Sequence, residues 1–272
     1  MFVKKKTFLI ISINHLCFLT TLFFTFSIQA AVILVDPGHG GDDKGAQSVL
    51  WEKVGNKRIG KVVYEKDVAL IMAKKIKNRL QKKYTTYLTR GLDRTVSLME
   101  RADLAEKIKA DLFISVHLNS SESKSSYGFE TYYLDNHQDV AVKKVEHVEN
   151  QNSKMEDPIV QKILIDLAVE RTVEKSKKLS NSIHQKMKSI LSTKFHLHDR
   201  GNRPGLFFVL ALSKRPGILI EAGFLSNPNE LKKLTSNSFQ ENLAKAVADG
   251  VDLYFVQKKK RSLRVPKDVP LF

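Results

Sequence analysis

The sequence predicts an α/β fold: a single domain built on a mostly parallel, twisted sheet of about six strands, with helices on both faces. Two observations predict it. Short apolar runs of strand length alternate with longer segments in which apolar residues recur at helical spacing, the pattern of a doubly wound sheet. The chain has 272 residues, of which 42% are hydrophobic. That is enough for one well-packed core.

The first half of the domain supplies three strands and two helices. A buried strand is predicted at residues 32–36, and it leads into the glycine-rich turn that contains His39. A helix is predicted to begin at Glu65, because apolar residues between positions 68 and 80 share one face. A strand at residues 84–89, a helix at 96–108 and a strongly apolar strand at 112–118 follow.

The second half continues the alternation. A strand is predicted at residues 127–134, and a long helical pattern runs from Pro158 to Ile190. Two further apolar strands are predicted at residues 206–212 and 218–224, and a final helix at 239–256. Residues 47–63 and 135–157 interrupt this pattern, so we interpret both segments as insertions.

Both ends of the chain differ from the domain between them. Lys4, Lys5 and Lys6 precede an apolar run at residues 8–28 and then Ala30, which predicts a secretory signal peptide at residues 1–30. The alternative is an uncleaved membrane anchor, since the run is long enough to span a bilayer. Residues 258–272 form a basic tail, predicted to lie beyond the last helix.

The charge and the cysteine content limit the function further. The formal net charge of +16 favours an anionic partner, and export argues against nucleic acid. The only cysteine, Cys17, lies within residues 1–30, so the exported domain would have no disulfide and no cysteine metal ligand. We expect an exported monomer, most simply in the periplasm.

Four residues suggest a catalytic zinc site. His39, Glu65, His117 and Glu221 each lie where a strand ends, where a helix begins, or within a strand that reaches the same edge of the sheet. A zinc hydrolase needs three protein ligands, an open position for water and a free carboxylate. Taken singly, the first three also suit a phosphate-binding turn, a helix-start carboxylate and a core histidine.

Glu221 is the most informative of the four, because it interrupts the apolar strand 218–224. Burying a carboxylate is costly unless it is paired or lies near a cation. A catalytic base beside a metal would explain it. The alternative is a salt bridge to Arg200, Arg203 or Arg215.

Five motifs occur in a characteristic order over residues 32–255. They are Asp36-Pro37-Gly38-His39-Gly40-Gly41, Glu65-Lys66-Asp67-Val68-Ala69-Leu70, Leu88-Thr89-Arg90 with Asp93-Arg94, Ser115-Val116-His117-Leu118-Asn119, and Glu221-Ala222-Gly223-Phe224-Leu225-Ser226-Asn227. With these motifs the chain resembles the zinc-dependent N-acetylmuramoyl-L-alanine amidases, bacterial enzymes that remove peptide stems from peptidoglycan.

The resemblance implies a catalytic domain at residues 31–257 that acts on peptidoglycan or muropeptides in cell-wall remodelling or daughter-cell separation. It implies Zn²⁺ bound by His39, Glu65 and His117, with Glu221 as catalytic acid and base. Asn119 is expected either to orient ligands or substrate, or to cap its strand.

Some members of this family carry a helix that blocks the zinc until an activator protein removes it. Residues 139–155 fall at the corresponding position, and Glu149-Asn150 resembles the inhibitory element. Glu149 is therefore a candidate autoinhibitory ligand, and an activator protein a candidate partner. An ordinary surface helix is the alternative.

Two other functions remain open. Ser121 and Lys124 match the Ser-x-x-Lys pattern of serine-type D-alanyl-D-alanine carboxypeptidases, although neither Lys-Thr-Gly nor Ser-Asp-Asn is present. A non-catalytic peptidoglycan-binding module would use the basic surface without turnover. The histidines at positions 137, 147 and 184 are expected on solvated faces, and those at 196 and 198 in a loop.

Overall fold

The structure, a computed structural model, describes residues 30–151 and 158–264. Its strands are β1 (Val32–Pro37), β2 (Gln47–Val54), β3 (Lys57–Tyr64), β4 (Thr85–Leu88), β5 (Leu112–Asn119), β6 (Phe129–Leu134), β7 (Asp199–Gly205) and β8 (Gly217–Phe224). Its helices are α1 (Glu65–Leu80), α2 (Leu98–Lys107), α3 (Val140–Glu149), α4 (Pro158–Met187), α5 (Thr193–Phe195), α6 (Phe208–Ser213), α7 (Pro228–Leu234) and α8 (Asn237–Arg264), with a π-helical turn at Lys188–Ser192.

Six strands form one sheet in the order β4-β1-β5-β8-β6-β7. The first four are parallel to one another, and β6 pairs antiparallel with β8. The predicted α/β fold with a mostly parallel six-stranded sheet is confirmed. Since parallel strands end at a common edge, the residues after β1 and near the end of β5 are brought together there.

Helices cover both faces of this sheet. Side chains alternate between two buried clusters along each strand: Ile33 and Val35 face one cluster, and Leu34 faces the other. The first cluster is completed by α1, the end of α4 and α8, and the second by α2, α3 and α6. Within the described residues, both clusters are built from positions 33–255.

The strand predicted at residues 206–212 is wrong. This run begins with Leu206 and Phe207 and then forms helix α6. A short, continuously apolar segment does not distinguish a buried strand from a buried helix. The strand in this region is β7, at the edge of the sheet beside β6 alone. It contains Pro204, which an edge strand tolerates. Its polar composition gives no hydrophobic strand pattern, so the sequence did not predict this strand.

Residues 47–63, which we interpret as an insertion, fold as a hairpin: β2 and β3 pair in register from Gln47 and Tyr64 to Val54 and Lys57 around a two-residue turn. One predicted boundary differs from the structure. The last helix does not stop at residue 256 but continues to Arg264, so the first part of the predicted basic tail extends α8. Among the described helices, none is long and apolar enough to cross a bilayer. The predicted signal peptide lies outside the described residues, apart from Ala30.

Candidate metal centre and active site

The turn that carries His39 is held by two buried arginines. Arg90 donates hydrogen bonds to the carbonyl oxygens of Pro37, Gly38 and Lys66 at 3.2, 2.7 and 2.8 Å. Arg101 donates to the carbonyl oxygens of Pro37 and His39, both at 2.9 Å. Together they satisfy carbonyl oxygens of a turn in which His39 itself has φ 57°.

Behind this turn, Asp36 anchors the end of β1. Its carboxylate is 1% exposed and pairs with Arg101. It also accepts hydrogen bonds from Thr89 Oγ1 at 2.6 Å and from Ser115 Oγ at 2.8 Å. Burial alone would raise the pKa of Asp36, but Arg101 and Thr89 lower it below its usual value. The network connects three neighbouring strands directly behind the site.

The side chain of Glu65 is oriented by two backbone amides. Glu65 is the first residue of α1. Its Oε1 accepts from the Leu118 amide at 2.9 Å, and its Oε2 accepts from the Ala46 amide at 2.8 Å. Its carboxylate, buried at 2% exposure, is therefore fixed between the start of α1 and the end of β5.

His117 packs against the bare backbone of Gly38. A Cβ atom at position 38 would lie only 2.3 Å from Cε1 of the imidazole, so glycine is required for this close approach. The imidazoles of His39 and His117 stand edge to face, with ring centroids 4.9 Å apart. His39 Nδ1 lies 2.9 Å from Asp43 Oδ2, which leaves its Nε2 directed at the cluster.

Four side chains converge on one point. The ligand atoms of His39, Glu65, His117 and Glu149 all lie within 4.8 Å of one another. Glu65 Oε1 is 3.1 Å from His39 Nε2 and 3.3 Å from His117 Nδ1. Glu149 Oε2 is 3.5 Å from His39 Nε2 and 2.7 Å from His117 Nδ1. The structure thus unites the three predicted ligands with the predicted autoinhibitory residue.

The electrostatics of this cluster favour a bound cation. Burial lowers the pKa of His39 and of His117, but the carboxylates of Glu65 and Glu149 outweigh it and raise both values to about 10. Burial raises the pKa of Glu65, yet the two imidazoles bring it far below its usual value. Positive charge is strongly stabilised here, whether it is carried by protons or by a metal ion.

The donor set fits zinc. His39 Nε2, His117 Nδ1 and Glu149 Oε2 are buried and lack a hydrogen-bond partner within the described part of the chain. Imidazole and carboxylate are zinc ligands, and ligand atoms about 2.1 Å from an ion in a tetrahedron lie about 3.4 Å apart. Three of the four separations, at 3.1, 3.3 and 3.5 Å, are close to that spacing, and the separation between Glu149 and His117, at 2.7 Å, is shorter.

Glu221 lies directly opposite His117 in the register of β8 and β5. It is 0% exposed, and neither carboxylate oxygen has a hydrogen-bond partner among the described residues. Burial, followed by the charges of Glu149, Glu65 and Glu130, raises its pKa well above the usual value. A carboxylate with a raised pKa beside a cation site is suited to accept and return a proton.

The proposed salt bridge of Glu221 to an arginine is not formed. Arg200 lies 3.4 Å from Glu130, Arg203 pairs with Asp139 at 3.4 Å, and Arg215 pairs with Glu106.

The sequence analysis missed Glu130. It is 1% exposed and stands opposite Glu221 in the register of β6 and β8. Asn119 Nδ2 donates to Glu130 Oε1 at 2.7 Å, so Asn119 is connected to Glu221 through the neighbouring carboxylate of Glu130. The signal that singled out Glu221, a charge inside an apolar strand, was equally present in Phe129-Glu130-Thr131-Tyr132.

Glu149 is delivered by a firmly docked helix. Val142 of α3 is fully buried, and Glu146 accepts a hydrogen bond from the Leu206 amide. Asn150 donates to the Leu206 carbonyl oxygen and accepts from the Phe208 amide, both at 2.9 Å. These contacts hold the end of α3 over the metal centre.

Ser121 and Lys124 do not form a nucleophile pair. Ser121 Oγ accepts a hydrogen bond from the Ser123 amide at 3.2 Å. Lys124 is exposed, and no contact joins it to Ser121 within the described residues. The carboxypeptidase alternative therefore has no geometric support.

Two of the other histidines were misplaced. The side chain of His137 is only 4% exposed, and its Nε2 lies 2.5 Å from Glu146 Oε1. His184 is buried rather than solvated, and it lies 2.8 Å from Thr131 Oγ1 and 2.9 Å from Asp199 Oδ1. Its helix α4 packs on β6, so its polar neighbours in sequence did not reflect its surroundings. It has a structural role between α4, β6 and β7.

Comparisons of the sequence with a family model and with known proteins point to one family. Residues 33–252 match the model of the N-acetylmuramoyl-L-alanine amidase family Amidase_3. The chain is 31% identical over 234 residues to N-acetylmuramoyl-L-alanine amidase AmiA of Escherichia coli (strain K12), covering 82% of this chain and 76% of that protein. It is 30% identical over 229 residues to N-acetylmuramoyl-L-alanine amidase LytC of Bacillus subtilis (strain 168), covering 84% of this chain but 36% of the relative.

A solved structure agrees with these relatives. The N-acetylmuramoyl-L-alanine amidase from Clostridium difficile 630 superposes with a TM-score of 0.61 at 30% identity, covering 85% of this chain and 99% of that one. Since the family model spans most of the chain, the chain belongs to the N-acetylmuramoyl-L-alanine amidase family.

Proposed function

We propose that this chain is a zinc-dependent amidase that hydrolyses the bond between the lactyl group of N-acetylmuramic acid and the first L-alanine of the peptidoglycan stem peptide. His39, Glu65 and His117 would hold the metal. When bound, zinc supplies a Lewis acid that polarises the amide carbonyl and lowers the pKa of water. The proposal that zinc binds this chain is supported by the imidazole donors of His39 and His117 and the carboxylate of Glu65.

Glu221 carries the chemistry that belongs to the protein itself. The carboxylate takes a proton from the attacking water as the carbon–oxygen bond forms. It then returns that proton to the amide nitrogen as the carbon–nitrogen bond breaks, so that the stem peptide leaves as a neutral amine. The observation that carries the proposal is the buried, unpartnered carboxylate of Glu221 opposite His117.

Glu130 and Asn119 position this base. Two carboxylates on neighbouring strands disfavour each other's ionised form, and Glu130 contributes to the raised pKa of Glu221. Asn119 and Arg200 hold Glu130 in place. A purely peptidoglycan-binding module would not need a buried base and its positioning partners, so enzymatic turnover is the better explanation.

The position of Glu149 supports a resting state that is autoinhibited. Its carboxylate occupies the region where water and substrate would approach the metal, and α3 is anchored by Val142, Glu146 and Asn150. An activator protein that displaces α3 would open the site. In this proposal His39, Glu65 and His117 continue to hold the metal when α3 moves away.

The expected setting is outside the cytoplasm. The basic composition suits an anionic wall polymer, and the predicted signal peptide would export the chain to the periplasm. Membrane attachment through an uncleaved signal segment remains the alternative stated above.

The test uses purified muropeptides with the zinc-loaded protein and identifies products by mass spectrometry. Release of intact stem peptides supports the amidase. Loss of only a terminal D-alanine would point to the Ser121 alternative, and unchanged muropeptides with the Glu149→Ala variant would contradict the proposal.

A further inference from the structure

A cationic cleft lies at the end of the sheet opposite to the metal centre. Its volume is about 270 Å³, and it is formed where β5 and β8 begin, between α4 and α8. Five cations and one carboxylate line it: Arg171, Lys175, Lys214, Arg215, Lys258 and Asp111. We refer to these six residues as the basic cleft.

Most of this positive charge is not neutralised within the protein. Arg215 pairs with Glu106, but the other four cations form no ion pair with any acidic side chain in the described ranges. Asp111 accepts a hydrogen bond from the Val32 amide at 2.8 Å, so its carboxylate is already engaged. Four exposed cations around one cavity form a binding site for anions.

The basic cleft is far from the chemistry. The eight residues of β5 connect Leu112, in the cleft, with the catalytic edge near His117 and Asn119. At about 3.3 Å per residue, the two ends of the strand are roughly 25 Å apart. Anionic groups bound in the cleft are therefore not the scissile part of a substrate.

The chain enters the domain beside this cleft. The Thr85 amide donates to the Ala31 carbonyl oxygen at 3.1 Å, and Val32 contacts Asp111, a member of the cleft. The sequence immediately before Ala30 is the apolar run at residues 8–28, which meets a membrane during export. Helix α8 passes the cleft at Lys258, and its remaining residues add further lysines and arginines.

We propose that the basic cleft and the adjacent end of α8 dock on an anionic phospholipid surface, with lipid phosphates bound by Lys175, Lys214 and Lys258. The half-buried ring of Phe255 lines the same cavity, and aromatic residues are favoured at membrane interfaces. Because the metal centre is at the opposite end of the sheet, docking directs it away from the bilayer. The basic cleft binds anionic lipid in this way whether or not the signal segment is cleaved.

The test measures co-sedimentation of the protein beginning at Ala31, which retains both buried clusters. The vesicles are phosphatidylcholine alone, or phosphatidylcholine mixed with phosphatidylglycerol. Binding is expected only with phosphatidylglycerol and should weaken as salt is added. Each cation near such a surface contributes about five-fold in affinity, so the combined variant Lys175→Glu, Lys214→Glu and Lys258→Glu should bind more than about 100-fold more weakly.

A matched variant separates this site from general positive charge. Lys53→Glu, Lys57→Glu and Lys61→Glu change the net charge equally on the exposed hairpin β2–β3 and should leave most of the binding intact. Equal loss in both variants, or binding without preference for phosphatidylglycerol, would overturn the proposal. Loss of binding to isolated peptidoglycan sacculi in the cleft variant, with vesicle binding unchanged, would assign the cleft to an acidic wall polymer instead.

Folding and activity provide the remaining controls. The cleft variant should keep its far-ultraviolet circular dichroism and its hydrolysis of soluble muropeptides, because its substitutions are remote from Glu221. If it does not fold, the milder Lys214→Gln and Lys258→Gln pair is measured, with an expected loss of more than about ten-fold; undiminished binding of that pair contradicts the proposal. An inactive but lipid-binding protein would sink the amidase mechanism and leave the docking site standing.

Discussion

His117 and Glu221 face each other in register on the neighbouring strands β5 and β8, the first in the metal cluster and the second outside it. In the proposed mechanism, this pairing separates the residue that would bind the metal, His117, from the residue that would move the proton, Glu221. The two roles can therefore be separated by mutation.

Replacing Glu221 with glutamine should remove turnover and leave metal binding intact. Glutamine has the same shape but cannot accept the water's proton. We therefore expect kcat to fall by about 10²- to 10⁴-fold, the usual contribution of a general base. Muropeptide hydrolysis and the zinc content of the purified protein are measured together. Glu52→Gln on the exposed hairpin is the control. A Glu221→Gln enzyme with normal kcat would contradict the assignment.

Gly38→Ala should damage the metal centre without touching a ligand. The new Cβ would lie 2.3 Å from His117 Cε1, so the imidazole has to move, and zinc affinity should fall. Gly91→Ala is a matched control, because nothing lies within 4 Å of a Cβ at that position. Zinc titration with a competing chelator compares the two. Equal affinities would show that His117 can relax around the methyl group.

Removing the metal should destabilise the folded protein. A ligand present at 1,000 times its Kd stabilises the native state by about 4 kcal/mol, and the buried carboxylates would lose their counter-charge. Thermal denaturation before and after chelation measures the change. The double variant His39→Gln and His117→Gln should not respond to the chelator, and an equal response would mean that the chelator acts elsewhere.

Glu149→Ala should raise basal hydrolysis while zinc remains bound by the other three ligands. Glu149 Oε2 lies 2.7 Å from His117 Nδ1, and under the proposed autoinhibition it takes the metal position that water would need. Glu146→Ala, which loosens the docking of α3 on Leu206, should also raise basal hydrolysis. The exposed neighbour His147 supplies a control variant, His147→Ala. Lower activity in Glu149→Ala would make Glu149 a catalytic ligand rather than an inhibitor.

Asp36→Asn should destabilise the fold by about 3–5 kcal/mol, since it leaves the buried guanidinium of Arg101 without its counter-ion. The folded pKa of Asp36 lies below the unfolded value of 3.8. Its contribution is therefore complete above pH 3.8 and is lost as the pH falls through the lower, folded pKa. Urea unfolding of both proteins across this range checks the prediction. An unchanged free energy of unfolding at neutral pH would contradict it.

Taken singly, His39, Glu65 and His117 gave weak signals, and it was their common sheet edge together with the ordered motifs that made them candidate ligands. A buried strand ending in a glycine-rich turn placed His39, and a helix start placed Glu65. In a parallel sheet those signals imply a common edge. Glu130 could have been found by the same reasoning as Glu221, but its strand β6 runs antiparallel to β8, and neighbouring strands could not be assigned from the sequence.

The errors share one physical cause. The segment that became α6 is apolar all round, and β7 is polar and lies at the sheet edge, so each contradicted its hydrophobic pattern. Tertiary packing, rather than the local hydrophobic pattern, decides whether such a segment forms a helix or a strand. The docking of Glu149 likewise depends on hydrogen bonds from Glu146 and Asn150 to the segment between β7 and α6, which no local periodicity contains.

The hairpin β2–β3 leaves the domain at Ala46 and returns at Glu65, and the Ala46 amide is itself hydrogen-bonded to Glu65 Oε2. The pairing of Gln47 with Tyr64 closes its base. Leu50 of β2 still packs on the first buried cluster, so it is the length of the ribbon beyond Leu50 that is uncoupled from the position of Glu65. Related chains can lengthen, shorten or replace this segment during evolution without disturbing the metal centre, and a foreign peptide can be grafted at Gly55 for the same reason.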